Sequence, residues 1–294
     1  VHDLLLQGLV NGVILGALYG LIGVGLNIVF GVLRVVNFAH GEFLILGAYL
    51  ALMLAQSFGL SPFLALPVTF LVFGLFGYAL YFVLIPRLAH SDDPQTSSLL
   101  MMFGVSIMAS ALMLLVFDAD ARTLDYEIEP VFIVLAGDII LPTIRLIALA
   151  VCLMIVALLT WFLYATLTGR ALRAIIMNRD AVRIVGINVE RLSAIAFALG
   201  IALAGVTGVL TAMVFPAFSP FMGNDYTLTG FVVIVLGGLG HPVGALAGAL
   251  LFAITEQVAS VYFNPSIATI CGFVLLVGMI LVRPNGLLGK QVLR

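Results

Sequence analysis

Charged residues are scarce in this 294-residue chain, which has 12 Lys and Arg, 14 Asp and Glu, and a charged fraction of 9%. A soluble domain carries about 25%. With 63% hydrophobic residues and a mean hydropathy of +1.27, there is too little polarity to cover a water-exposed surface. The composition excludes a soluble enzyme and indicates an integral membrane protein. Cysteine is nearly absent: Cys152 and Cys271 stand singly inside apolar runs, which excludes a CxxC metal pattern and a disulfide framework. His2, His40, His90 and His241 are too dispersed for a metal site, and no HExxH occurs. GLLGKQ lacks the spacing of a phosphate-binding loop and GVGLNI is not a dinucleotide fingerprint, so neither ATP hydrolysis nor cofactor binding is expected of this chain. The net charge is −2, and the basic residues flank apolar runs instead of forming a patch, so no nucleic-acid partner is expected. The opening VHDLLLQG has neither the basic stretch nor the cleavage pattern of a secretory signal, and no processing is expected there.

What is present is apolar length. The stretches 63–85, 144–164 and 194–214 each approach the roughly 20 residues needed to cross about 30 Å of hydrocarbon as helix. No soluble domain of about 50 residues or more fits beside such spans. Residues 1–294 are expected to form a single transmembrane domain, an all-α polytopic fold with about 8–10 membrane segments, some broken or re-entrant. Against this background the loop 168–193, TGRALRAIIMNRDAVRIVGINVERLS, holds five of the basic residues: Arg170, Arg173, Arg179, Arg183 and Arg191. They outweigh Asp180 and Glu190, so the loop reads as cytoplasmic. Working outward from it puts Arg34, Arg87, His90 and the terminal RPNGLLGKQVLR inside. The SFGLSP turn, the 216–224 connection and the N-terminus fall outside. The segment 117–142, with Asp118, Asp120, Asp125, Glu127, Glu129 and Asp138 against Arg122, reads as an acidic external loop. The stretch 226–263 is too long for one span, and LGGLGHPVGALAG within it predicts a descending segment ending near Gly240 and a returning helix from Pro242.

Several residues carry the candidate chemistry. Gly8, Gly12, Gly16 and Gly20, and likewise Gly237, Gly240, Gly244 and Gly248, stand at or near helical spacing and let backbones approach closely. An unwound backbone is tolerated at membrane depth only against protein or a water-filled cavity. In LGGLGHPVG this makes Gly237, Gly238, Gly240 and His241 candidates for the wall of a passage. A break, a His and a small-residue helix recur at 37–55 and 238–256, either as an internal repeat or as two compositionally similar helices. Glu42 and Glu256 lie in or at the edge of membrane helices, where an ionised group costs at least roughly 2.5–3.5 kcal/mol and needs a partner or a task. Asn37, His40 and Glu42 read as a polar cluster pinning a helix break at the cytoplasmic side, as contacts for solute or gating, or, through His40, as a proton relay. Asn224 and Asp225 read as a helix N-terminal cap. RDAVRIVG, with Gly186 and Asn188 as a stop, predicts a short amphipathic helix outside the membrane, Arg179 and Arg183 one turn apart on one face. It serves as a solvated juxtamembrane helix or as a docking element, and the order of residues favours docking.

GLNIVFGVLRVVNFAHGEFLILGAYLAL, GRALRAIIMNRDAVRIVGINVERLSAIAFALGIALAGVTGVL, VVIVLGGLGHPVGALAGALLFAITE and VRPNGLLG together resemble the permease subunits of branched-chain amino acid ABC importers, nearly end to end. Asp180, Ala181, Val182 and Gly186 are similar to the EAA motif of importer permeases, with Asp in place of Glu and Val in place of the second Ala. The resemblance implies a type II importer fold in a bacterial inner membrane and a coupling helix around Arg179, Asp180, Ala181, Val182, Arg183 and Gly186. It further implies a second permease subunit or second copy, two ATPase subunits that hold ATP and Mg, and an external solute-binding protein. Alternating access would move the helices around Asn37–Glu42 and Gly237–Gly244. The solute implied is a branched-chain or other hydrophobic amino acid. Relatives carrying the same signatures also serve urea, short amides and aromatic or small carboxylates. An autonomous channel or ion-coupled carrier would explain the apolar spans without requiring the Arg-rich docking helix.

Overall fold

In hydrocarbon every backbone N–H and C=O must find its partner within the protein, and the apolar runs meet that demand as helices. The computed structural model describes residues 2–88, 91–124, 132–135 and 139–289. Eight described helices are long and apolar enough to cross a membrane: α1 (His2–Leu33), α2 (His40–Phe58), α3 (Pro62–Leu88), α4 (Pro94–Phe117), α5 (Thr143–Ala165), α8 (Val189–Val214), α10 (Pro242–Tyr262) and α11 (Pro265–Val282). A ninth, α9 (Gly223–Gly237), has 15 residues and is too short to span alone. Two short helices, α6 (Leu167–Met177) and α7 (Arg179–Ile184), fill the Arg-rich segment. The chain is an all-α polytopic membrane protein in its spanning part, with the break in 238–241 where the glycines place it.

One small sheet departs from the expected loop at 117–142. β1 (Phe132–Leu135) pairs antiparallel with β2 (Ile139–Pro142), Phe132 opposite Pro142 and Leu135 opposite Ile139. FIVL and IILP are rich in β-branched and aromatic residues, a signal masked in the sequence by the surrounding acids. Of that acidic loop, Asp125, Glu127, Glu129 and Asp138 lie outside the described residues, as do His90 and residues 290–294.

The helices sort into a centre and a periphery. In α8 and α1, 83% and 78% of the most apolar window is buried, against 11% in α11 and 22% in α3, α4 and α5, so α1 and α8 form the core and α3, α4, α5 and α11 the periphery. Glycine sets the closest approaches. α1 runs antiparallel to α10: a Cβ on Gly12 would stand 2.8 Å from Ile254 Cα, and one on Gly16 2.9 Å from Leu250 Cα, distances no real side chain tolerates. α2 crosses α8 in the same manner, Gly47 on Gly205 and Gly208 on Leu44.

Local signals end and start the helices. Gly59 in the left-handed region (φ 62°) closes α2. Asp93 caps α4, accepting from the N–H groups of Gln95 (3.1 Å) and Thr96 (3.3 Å), with Pro94 following. The Thr96 hydroxyl donates to the same carboxylate at 2.6 Å, and these bonds hold Asp93 below the usual carboxylate range.

Candidate functional site

The α9–α10 break is the most elaborately held piece of backbone in the molecule. Gly238 (φ 108°) and Gly240 (φ 78°) adopt conformations that favour glycine, which turns α9 back into α10 within four residues. Unwinding exposes polar groups, and Asn27, fully buried six residues before the end of α1, satisfies three of them. Its Nδ2 donates to the carbonyls of Gly238 and His241, both at 3.1 Å, and its Oδ1 accepts from the Gly240 N–H. A second clamp comes from the C-terminal turn. The N–H groups of Leu287 and Leu288 donate to the carbonyls of Leu236 (2.8 Å) and Gly237 (3.2 Å), the last two residues of α9, and Gly286 and Gly289 pack against Gly238. Sequence reading took RPNGLLG for a basic tail and passed over Asn27. An amide inside an apolar 32-residue helix was the available signal, because it needs partners there.

The second cluster starts α2. His40, Glu42 and Asn37 are all buried. Asn37 Oδ1 accepts from the Ala39 N–H at 3.1 Å. The Thr227 hydroxyl of α9 accepts from the Gly41 N–H at 2.9 Å and faces the carbonyls of Phe38 and Gly223, each at 3.2 Å. The Ser106 hydroxyl of α4 lies 3.4 Å from Glu42 Oε1, while Glu42 Oε2 and Asn37 Nδ2 have no partner in hydrogen-bond geometry. The Glu42 carboxyl group packs directly on Gly223, the first residue of α9, at the helix end whose first N–H groups have no partner within the helix.

Glu42 precedes Tyr49 by seven residues, or about 10 Å of helix, and Tyr49 stacks on Phe117 and meets Phe218 edge-on. His40 lies against Gly25, eight residues short of the end of α1, so the chain doubles back over residues 34–39 and begins α2 beside the body of α1. One expectation is corrected: Asn224 and Asp225 do not cap α9. The position before the helix is Met222, without a side-chain cap, and both residues sit in the first turn. The Glu42 carboxyl group packs there from another helix, which no local pattern reveals. Glu256 is bound structurally, accepting from the Thr269 hydroxyl of α11 at 2.9 Å, with the Tyr19 hydroxyl beside it.

The Arg-rich segment folds as two helices. Asn178 caps α7 through the N–H groups of Asp180 (3.1 Å) and Ala181 (3.0 Å), Gly186 (φ 80°) ends it, and Asn188 caps α8 through the Arg191 N–H at 2.9 Å. Arg183 lies 3.9 Å from Asp180, both exposed. Arg179 is half-buried, one turn before the exposed Arg183. What α7 does present is apolar: Ile184 is 86% and Val185 72% exposed, with Val182 buried beneath as the anchor. Sequence reading fixed on the arginines and missed this pair.

The three candidate regions are physically connected. Gly25, beside His40, and Asn27, beside the break, are two residues apart on α1. Ile176, at the end of α6 and two residues before the α7 cap, packs against Gly31 of α1 and Gly240 of the break, with 3.2 Å and 3.5 Å to the modest space left at each glycine. Among the described residues no cluster of three or more His, Cys, Asp or Glu could hold a metal ion.

Comparison with known proteins bears on this arrangement. Residues 8–282 match the family described as "Branched-chain amino acid transport system / permease component". The chain is 29% identical to the high-affinity branched-chain amino acid transport system permease protein BraD of Pseudomonas aeruginosa, over 97% of this chain and 96% of that protein. It is 29% identical to LivH of Escherichia coli, over 97% and 96%. LivM of Escherichia coli is 26% identical over 96% of this chain and 70% of its own length. No solved structure matches.

Proposed function

The chain belongs to the family of branched-chain amino acid transport system permease components, and from that membership we propose how it works. It is a multi-pass permease subunit. In our reading it carries a branched-chain or other hydrophobic amino acid inward by alternating access, driven by two separate ATPase subunits and fed by an external binding protein. ATP and Mg are held by the ATPases, and none of the chemistry of hydrolysis is assigned to this chain. Its likeness to both LivH and LivM supports pairing with a second permease subunit. The Arg-rich segment and the C-terminus face the cytoplasm of a bacterial inner membrane and the N-terminus faces outward, as the charge distribution requires.

The observation that carries this reading is α7: a short, doubly capped helix outside the spans whose anchor is buried and whose Ile184 and Val185 are exposed. Two adjacent large apolar side chains exposed together outside the spans form a patch of the kind that marks a contact surface. Arg179, Asp180, Ala181, Val182, Arg183 and Gly186 build the helix, and Ile184 and Val185 enter the ATPase groove. Displacement of α7 passes through Asn178 to Ile176, and from Ile176 to Gly31 and Gly240. The break at Gly237, Gly238, Gly240 and His241 then rearranges against Asn27, and the Asn37, His40 and Glu42 cluster, whose His40 packs on Gly25 two residues from Asn27 on α1, responds as the gate.

Ile184→Asp is expected to leave membrane insertion intact, because the side chain touches little of its own chain. It should lower co-purification of the ATPases about tenfold or more, the effect of losing one central contact of about 1.4 kcal/mol. Arg179→Glu with Arg183→Glu should weaken the same association. Undiminished association in both variants would remove α7 from the docking role.

A further inference from the structure

A cleft of about 630 Å³ opens between the ends of α1, α5 and α6 and the start of α10. It borders the Ile176–Gly240 contact of the transport reading above, but its two arginines have no part in that reading. Its walls are mainly apolar, including Ile28, Leu163, Ile176 and Val243, and two guanidinium groups, Arg34 and Arg173, stand in the lining. Arg173 is fixed in place: its Nε donates to the Leu163 carbonyl at 3.0 Å and its guanidinium lies over the Tyr164 ring at 3.9 Å. Arg34 sits in the left-handed region (φ 60°) at the exit of α1 and is exposed. The lining contains no Asp or Glu, and among the described residues neither arginine has a carboxylate within 4.0 Å, the two ion pairs being Arg122 with Asp118 and Arg183 with Asp180. Two positive charges are therefore left without counter-charge beside an apolar groove. α10 begins at the same place with no side chain capping its first turn.

An independent feature sets the depth of the mouth. Trp161, the sole tryptophan of the chain, and Tyr164 are 64% and 52% exposed on the last turns of α5. Exposed Trp and Tyr at the end of a spanning helix mark the headgroup level of a bilayer. The cleft thus opens among lipid headgroups, and its apolar wall continues toward the hydrocarbon.

The geometry points to a binding site for one anionic phospholipid, its phosphate between Arg34 and Arg173 and an acyl chain along Ile28, Leu163 and Val243. Basic pockets between spanning helices suit such headgroups. A zwitterionic lipid would bring a second positive charge to a site that has no acid to receive it. Because Ile176 and Gly240 both line the cleft, a bound lipid also touches the contact between α6 and the α9–α10 break.

The test is native mass spectrometry of the full chain, with whatever subunits accompany it, in mixed micelles of phosphatidylglycerol and phosphatidylcholine. Wild-type protein is expected to retain the anionic lipid with roughly tenfold to thirtyfold preference, the effect of two arginines near a headgroup. Arg34→Gln with Arg173→Gln should reduce the preference to near parity, while Arg87→Gln, at the end of α3, should leave it unchanged. Should the double variant fail to fold, photoactivatable phosphatidylglycerol on wild-type protein decides, with labelling expected within 28–34, 160–177 or 239–243. Equal retention of the two lipids by wild type, an unchanged preference in the double variant, or labelling elsewhere would overturn the site. Displacement of the lipid by inorganic phosphate would assign the two arginines to a soluble anion instead and overturn the lipid as ligand.

Discussion

Asn27→Leu is expected to be the most damaging single change in this protein. The leucine is of similar size, so α1 keeps its packing, but the Gly238 and His241 carbonyls and the Gly240 N–H lose their shared partner. A buried polar group left unpaired costs about 1–3 kcal/mol, and three at one break together threaten a protein whose whole stability is of order 5–15 kcal/mol. The expected result is loss of most monodisperse protein after extraction, and a sharp fall in thermal midpoint for the remainder. Asn264→Ala provides the comparison: it removes a cap at the exposed start of α11, where the side chain accepts from the Ile267 N–H at 2.9 Å, and should cost only about 0.5–2 kcal/mol. Equal stability of the two variants would show that Asn27 does not hold the break.

Gly47→Val is the second. A Cβ at this position would lie 2.6 Å from Gly205 Cα and 2.7 Å from its carbonyl carbon. These are backbone atoms that cannot rotate aside, so α2 must move off α8. Overpacking a core costs about 1–3 kcal/mol, occasionally more. Here it also shifts the helix that carries Glu42 and Tyr49, so transport should fall further than stability does. Gly104→Ala is the matched control, since nothing lies within 4 Å of a Cβ placed there, and a helix gains up to about 1 kcal/mol from the exchange. Thermal unfolding of both variants, read beside their uptake rates, checks the contrast; a well-tolerated Gly47→Val would contradict the close crossing.

Both predictions rest on contacts between distant parts of the chain, and this is where reading the sequence alone stops. The spans, the α9–α10 break and α7 were legible because each is a local signal: apolar length, a run of glycines ending in Pro242, a capped motif stopped by Gly186. The partners of those features were not. Asn27 and Gly240 are separated by 213 residues, and the Leu287 bond that helps cap α9 arises only when the last turn folds back. Asn224 and Asp225 looked like a cap because their types suit one, yet they sit inside the first turn, and the carboxyl group packed on Gly223 comes from Glu42. The arginines of the central loop singled it out, but charge patterning says nothing about which side chains are exposed. Ile184 and Val185 became visible as a surface only when Val182 was seen to take the buried position. The hairpin of β1 and β2 was hidden for the opposite reason, its apolar residues being read as part of an acidic loop.

The central claim, that this permease moves its solute only when ATPases drive α7, is tested most directly by reconstitution into vesicles. Flux of leucine, isoleucine or valine should require the partner permease, the ATPases, the binding protein and ATP together. It should fall about tenfold or more with Ile184→Asp in the complete assembly. Solute flux through this chain alone, without ATP or partner subunits, would contradict the account and make the molecule a channel or an ion-coupled carrier.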